Sequence, residues 1–350
     1  MIVYWAGCIA SMLIAYLGTS RMQNGKNSGL VIFFSALPLI LIAALRYDVG
    51  ADYLNSYVVY FKQVLNNMMN DANRLEPLYH LLNQIVAWFQ GDYVWIFTAT
   101  AVIFFVAVYA QIFQDSPYPA LSVFLLVGMG YMFVFFNGMR QLVGCSLLMF
   151  SIRYIRRRRF LPFLICVALA TGFHDSCVVF IVSYWLAKIR IRPIAAFVLT
   201  TALVVLIGPV TELLHYLISQ TPYAIYFASI FDTGETAYVM LAINLVLLIF
   251  ASLYYDADEK YRTYYNFQLI ALWTTIFSGR IVLMLRMLWV FGLPSIILVP
   301  IVLEKIPRDK DRKLIAAAII VMYVIYTLYT VGMQNSNSVL PYQTIFSRWI

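Results

Sequence analysis

Apolar runs recur along the whole chain, many of them close to the ~20 residues needed to cross the hydrocarbon of a bilayer. Twelve spans can be drawn, over 2–18, 30–45, 93–113, 120–136, 141–154, 161–173, 177–187, 194–214, 237–254, 267–277, 281–303 and 314–330. Residues 76–89 break this pattern. There Leu78, Leu81, Leu82, Ile85, Val86 and Phe89 recur at helical spacing, and His80, Asn83 and Gln84 take the other face. Such a short amphipathic helix suits an interfacial or re-entrant position better than a crossing. Residues 55–69 read similarly, with Tyr57, Phe61, Val64 and Met68 on one stripe. The pattern predicts an all-α polytopic integral membrane protein, with about twelve transmembrane helices and amphipathic helices on the outer face. A single transmembrane domain would cover 1–350, with an outer-face insertion at 46–90 and a second outer loop at 215–236.

Composition agrees. Of 350 residues 63% are hydrophobic and 11% charged, and mean hydropathy is +0.82. An average globular protein is about 45–50% apolar, so a soluble domain is not expected. The run 2–17 lacks a basic leader and a small-residue cleavage motif, and is expected to be a retained helix rather than a signal peptide. Cys8, Cys145, Cys166 and Cys177 lie in apolar surroundings without metal-ligand spacing or a disulfide framework, and three histidines cannot build a His-rich metal site.

The net charge of +8 suggests nucleic acid only if its placement is ignored. Five loops, holding Arg21/Lys26, Arg153/Arg156–Arg159, Lys188/Arg190/Arg192, Lys260/Arg262 and Lys305/Arg308/Lys310/Arg312/Lys313, carry 17 of the 24 Lys and Arg. All five fall on one side if twelve spans are counted with both termini outside and 76–89 does not cross. The positive-inside bias makes that side cytoplasmic. Seven basic residues remain for the outer face: Arg46, Lys62, Arg74, Arg140, Arg280, Arg286 and Arg348. Topology does not account for these. Six are arginines, whose planar fork of donors suits phosphate, and charge at membrane depth usually marks function.

Arg46-Tyr47-Asp48-Val49-Gly50-Ala51-Asp52-Tyr53 is the densest such cluster, placed where an apolar run meets water. It suits a site gripping a charged lipid headgroup. Arg140 stands in Asn137-Gly138-Met139-Arg140-Gln141 between two spans, where a snorkelling arginine is the plain alternative. Arg280 and Arg286 are six apart, not a same-face spacing. Both can face one site only across a broad cavity or a break near Gly279. His174, in Gly172-Phe173-His174-Asp175-Ser176, could cap a helix or take a proton from a sugar hydroxyl. His80 and His215 lack such company. Asp48, Asp52, Glu76 and Asp175 are the outer carboxylates that could orient a base, hold sugar hydroxyls or neutralise an arginine. The outer segments are rich in tyrosine, including Tyr47, Tyr53, Tyr57, Tyr60, Tyr79, Tyr223 and Tyr226. An interfacial belt accounts for most of these, and sugar stacking is open for the stretch from Tyr53 to Tyr60. No Asp-x-Asp motif falls on the outer face, against metal-assisted sugar-nucleotide chemistry there.

The chain resembles the EpsG family, a branch of the Wzy-like polysaccharide polymerases. The resemblance lies in Arg46-Tyr47-x-Val49-Gly50-x-Asp52-Tyr53, Glu76-Pro77-Leu78-Tyr79, Met139-Arg140-Gln141, Phe173-His174-x-Ser176, Arg286 and Leu340-Pro341-Tyr342. Each motif is short; their order and spacing run over nearly the whole chain. The resemblance implies a GT-C-like membrane glycosyltransferase that joins oligosaccharide repeat units carried on undecaprenyl diphosphate, inverting the anomeric centre. Donor and acceptor would both be lipid-linked, on the outer face of the bacterial cytoplasmic membrane. Because the lipid diphosphate is already a good leaving group, neither metal nor cofactor is called for. It further implies catalytic roles for His174 as general base and for Arg140, Arg46 and Asp52, and substrate binding by Arg280, Arg286, Glu76, Tyr47, Tyr53, Gln141 and Tyr79. Besides the bilayer, partners could include a chain-length regulator and a flippase; nucleic acid is not among them. Two rival functions fit the composition. A flippase or transporter of lipid-linked oligosaccharide would more often show internal repeats and a mid-membrane site, and none is found. A glycan ligase or acyltransferase would use the same surface on another acceptor.

Overall fold

The computed structural model describes residues 1–22, 28–69, 75–221, 224, 238–281 and 283–349. Lys26, Arg74, Tyr223, Tyr226 and most of the 215–236 loop lie outside them. Every regular element among the described residues is helical. The contact pattern divides the chain into two compact units, one of Met1–Ile181 with Pro307–Ile350, the other of Val182–Ile306.

The first unit begins with α1 (Ile2–Met22) and α2 (Ser28–Ala44). These run antiparallel: a Cβ on Gly7 would meet Ile42, and one on Gly18 would meet Val31. Small residues of this kind let apolar helices approach where no hydrophobic effect drives them together. A polar tie crosses the same packing, since the Ser11 hydroxyl reaches the Ser35 carbonyl and the Tyr109 hydroxyl on α5 (Val94–Asp115). The insertion between α2 and α5 holds a π-helix (Tyr53–Val58), α3 (Val59–Leu65) and α4 (Pro77–Trp88). Then come α6 (Pro119–Gly128), α7 (Tyr131–Asn137), α8 (Met139–Arg156), α9 (Phe160–Phe173) and a 3-10 segment, Asp175–Val182.

The helix expected over 76–89 is therefore present, and its faces are inverted relative to a soluble protein. His80, Asn83 and Tyr79 are buried, while Leu81, Ile85, Trp88 and Phe89 are exposed. Apolar side chains turned outward are what a lipid-facing helix requires. On the 55–69 stripe Tyr57, Phe61 and Val64 are buried, and Met68 is exposed.

The second unit contains α10 (Ser183–Leu186), α11 (Pro193–Val205), α12 (Ile207–Ser219), α13 (Tyr238–Leu253), α14 (Glu259–Phe277), α15 (Leu283–Gly292) and α16 (Ser295–Glu304). Buried on nearly all sides, α14 is tied to α13 through Gln268 Nε2 donating to Asn244 Oδ1 at 2.9 Å. Its Asn266 amide donates to the carbonyls of Leu186 and Ile189, both at 2.9 Å, meeting acceptors left open at the end of α10. The chain returns to the first unit with α17 (Asp309–Thr327), a π-turn (Leu328–Met333) and a C-terminal segment.

Among the described residues, three helical stretches can cross a membrane by length and composition, Ile2–Thr19, Val94–Asp115 and Asp309–Met333, or up to six if each of three bent pairs counts as one. Four further apolar helices are shorter. Three runs drawn as single spans are bent: α6 and α7 meet at 50°, α11 and α12 at 78°, α15 and α16 at 42°. Gly130 supplies the first break, with a φ of 89° that a residue bearing a Cβ rarely adopts. Gly208-Pro209 and Pro294 stand at the others.

Candidate active site

The site begins at the junction of α7 and α8, where Gly138 ends one helix and starts the next. The exposed ends of such helices need partners, and Tyr57 supplies them. Its hydroxyl accepts from the Met139 amide at 2.9 Å and donates to the Asn137 carbonyl. Burial pushes the Tyr57 phenol up to about 12, so it keeps the proton that this double role needs. Arg140 is thereby fixed in the first turn of α8. About 20–24 Å away by helix rise, the far end of α8 carries Arg153, which donates to Gln111 and to the Ala110 carbonyl, and Arg156, ion-paired with Asp115. Those arginines belong to one of the five basic loops of the sequence. Arg140 does not.

Arg140 pairs with Glu76, the residue before α4, and lies over the Tyr79 ring at 5.8 Å. Its side chain nevertheless keeps 23% of its surface exposed. Asp52 is half-buried just before the π-helix, close enough to feel the charges of Arg140 and Arg46. Desolvation raises its carboxyl above the usual value in spite of them. The neighbouring Gln141 is buried, and its Nε2 donates to Ser176 Oγ at 3.3 Å. Ser176 Oγ in turn is 2.8 Å from His174 Nδ1. The end of α9 reaches this region because Gly172 has no side chain: a Cβ there would strike Leu78 of α4. Gly144 makes similar room for the Cys177 sulfur.

Arg46 takes a different position. It has no exposed surface. Its Nη1 donates to the carbonyls of Val49 and Phe136, both at 2.9 Å, and its guanidinium sits over the rings of Phe136, Phe97 and Tyr53 at 4.4, 4.9 and 5.5 Å. Burial lowers it to about 10, so it remains a cation at neutral pH. Arg46 therefore holds the 46–53 loop against α7 and α5. Tyr53, also fully buried, stacks on Phe97 at 4.4 Å and donates to the Arg46 carbonyl at 3.0 Å. Tyr47 is half-exposed at the loop's rim. Tyr79 is buried beneath Arg140.

The C-terminal segment straps this loop down. Thr344 bridges to Arg46, the Tyr47 amide donates to Gln343 at 3.0 Å, and the Gly50 amide to Ser338 at 2.9 Å. Asn137 Nδ2 donates to the Asn337 carbonyl at 2.9 Å, and Tyr342 to that of Ile42 at 3.0 Å. Leu340-Pro341-Tyr342 stands out in the sequence without this task, and Ser176, Tyr57 and Asn137 stand in its motifs and tyrosine-rich stretch without the structural roles they take here. Gly50 is the tightest point. Its φ is 98°, and a Cβ would stand 2.7 Å from Asn137 Oδ1 and 3.0 Å from the Phe136 carbonyl. Gly50→Ala should cost about 1–3 kcal/mol through strain and displace the Arg46 seat. A thermal melt in detergent checks this, and an unchanged melting temperature would contradict it.

Arg280 and Arg286 belong to the second unit. Between them and the preceding helix the chain breaks: α14 ends at Phe277 and α15 begins at Leu283. Arg280 is exposed, with its carbonyl accepting from His215 Nε2 at 3.1 Å, and Arg286 is half-buried on α15.

A model of the EpsG family matches residues 29–344, nearly the whole chain. The chain belongs to the EpsG family. Members of the family are Wzy-like polymerases, so this EpsG-family chain is a membrane protein of polysaccharide biosynthesis. Neither a curated protein nor a solved structure gives a match. The matched range takes in every element of the Arg140 site and ends at Thr344, the residue bridged to Arg46.

Proposed function

We propose that the protein joins lipid-linked oligosaccharide repeat units into a polysaccharide, using undecaprenyl diphosphate as the leaving group, at the outer face of a bacterial cytoplasmic membrane. The observation that carries this reading is Arg140, a half-covered cation at a helix start, paired with one carboxylate and still partly open. In this reading Arg140 and the N-terminal end of α8 face the diphosphate as its negative charge grows. Glu76 keeps the guanidinium oriented before substrate arrives. The exposed apolar face of α4 would sit among lipid tails and bring the isoprenoid carrier alongside. Arg46 and Tyr53 act behind the site, fixing the loop that carries Asp52. Direct displacement at the anomeric carbon inverts it, and no step calls for a metal.

Purified protein in liposomes, given a fluorescent lipid-diphosphate repeat unit, should produce a ladder on a gel that persists in EDTA. Movement of the lipid across the bilayer with no ladder would contradict the polymerase reading and favour a flippase.

A further inference from the structure

A cavity of about 510 Å³ opens between α3 and α4, within the size range of small-molecule sites. His80, Gln84, Ala87 and Trp88 line it from one stripe of α4, at the i, i+4, i+7 and i+8 positions. Val64 lines it from α3, and Asn67 and Gln90 from just past the ends of the two helices. Both helix ends turn through a positive φ, 53° at Asn67 and 52° at Gln90. Glycine is the usual residue at such a turn; here each position brings an amide side chain to the lining. The amides of Asn67, Gln84 and Gln90 are exposed and take no hydrogen bond among the described residues. The Trp88 indole is exposed as well. Among the described residues the lining holds no carboxylate, ammonium or guanidinium.

This set of groups is a poor match for phosphate, which would call for positive charge, and for a lipid tail, which would leave three amides unserved. A primary amide carries donors and an acceptor side by side, as neighbouring sugar hydroxyls require. An indole adds an apolar face for the C–H side of a sugar ring. The cavity also continues from the Arg140 site. His80 Nδ1 is 2.8 Å from the Tyr60 hydroxyl, Tyr60 packs on Tyr79 at 5.7 Å, and Arg140 lies over Tyr79. By helix rise, Gln84 and Trp88 stand about 12 and 18 Å along α4 from Glu76, the partner of Arg140. We propose that this cavity is a saccharide subsite, holding sugars of the lipid-linked chain beyond the one joined to the diphosphate. The lipid-linked source of the glycan rests on the polymerase reading above; the match of the cavity to sugar does not. Tryptophan also marks membrane interfaces, and Trp95, exposed on α5 but outside the cavity lining, provides the comparison.

Wild type, W88A, Q84A and W95A in lipid nanodiscs test the subsite. Each would be titrated with the oligosaccharide released by mild acid from the producing strain's lipid-linked repeat unit, and separately with undecaprenyl diphosphate. The ladder assay would be run on the same samples. W88A and Q84A should each weaken oligosaccharide binding about 5–10-fold and raise KM in the ladder assay with kcat kept. Both should bind undecaprenyl diphosphate as wild type does, which also shows that they fold, and W95A should match wild type throughout. Wild-type affinity for the oligosaccharide in W88A and Q84A would overturn the subsite even beside a normal ladder. So would a loss in W95A equal to that in W88A, or a wild type that binds no oligosaccharide at millimolar concentration. Binding that depends on Trp88 and Gln84 in a wild type that makes no ladder would support the subsite and overturn the polymerase reading alone.

Discussion

Replacing Arg140 by alanine is expected to lower polymer formation by about 10²–10³-fold, the loss typical when one fixed donor to a developing negative charge is removed. Arg140 is partly exposed, and its orientation is set by Glu76 and by the Tyr79 ring below it. A charge-only role would let lysine serve. A forked contact with a diphosphate would not, because an ammonium presents a point charge, so Arg140→Lys should recover only part of the rate. The structural alternative is that Arg140 exists to neutralise Glu76. In that case removing both should restore what removing one destroys. The account predicts the reverse: Arg140→Ala with Glu76→Ala stays as inactive as Arg140→Ala alone, in the same gel assay at equal protein levels.

The second large effect is on stability. Arg46→Ala leaves the carbonyls of Val49 and Phe136 without their donor in a closed site and removes a cation from three aromatic faces. At about 1–3 kcal/mol for each orphaned acceptor, the expected loss is about 3 kcal/mol or more. Part of the polymerase activity should go with it, because the loop carrying Asp52 and the strap over it share the Arg46 seat. Arg46→Lys keeps the charge but cannot reach both carbonyls through one planar group, and should fall between. Thermal unfolding of the purified variants reads the order, wild type above lysine above alanine. If the alanine variant melts with wild type and loses only lipid binding, Arg46 contacts substrate instead.

These two arginines show what the sequence could and could not reveal. Both were singled out because the positive-inside bias did not explain them, and that reasoning cannot distinguish a guanidinium facing substrate from one sealed in the protein. What seals Arg46 is a strap almost three hundred positions later, along with Phe97 and Phe136 from two other helices. No local pattern announces such a contact. The amphipathic helix at 76–89 was legible because it depends only on helical period. The bends inside 120–136, 194–214 and 281–303 were missed although Gly130, Gly208-Pro209 and Pro294 mark them. Hydropathy averages over a window, and one glycine or proline barely changes it while ending a helix. His174 was open between a helix cap and a base, and the contacts that join it to Ser176 and Gln141 come from three dimensions rather than from a local pattern.

The central claim is that the Arg140 site grips a lipid diphosphate, and equilibrium binding tests it most directly. Purified wild type and Arg140→Ala in nanodiscs would be titrated with a short-chain isoprenyl diphosphate and, as control, the matching monophosphate. The account predicts saturable binding that prefers the diphosphate and weakens at least 10-fold in the variant. Equal binding by both proteins, or no preference for the diphosphate, would contradict it.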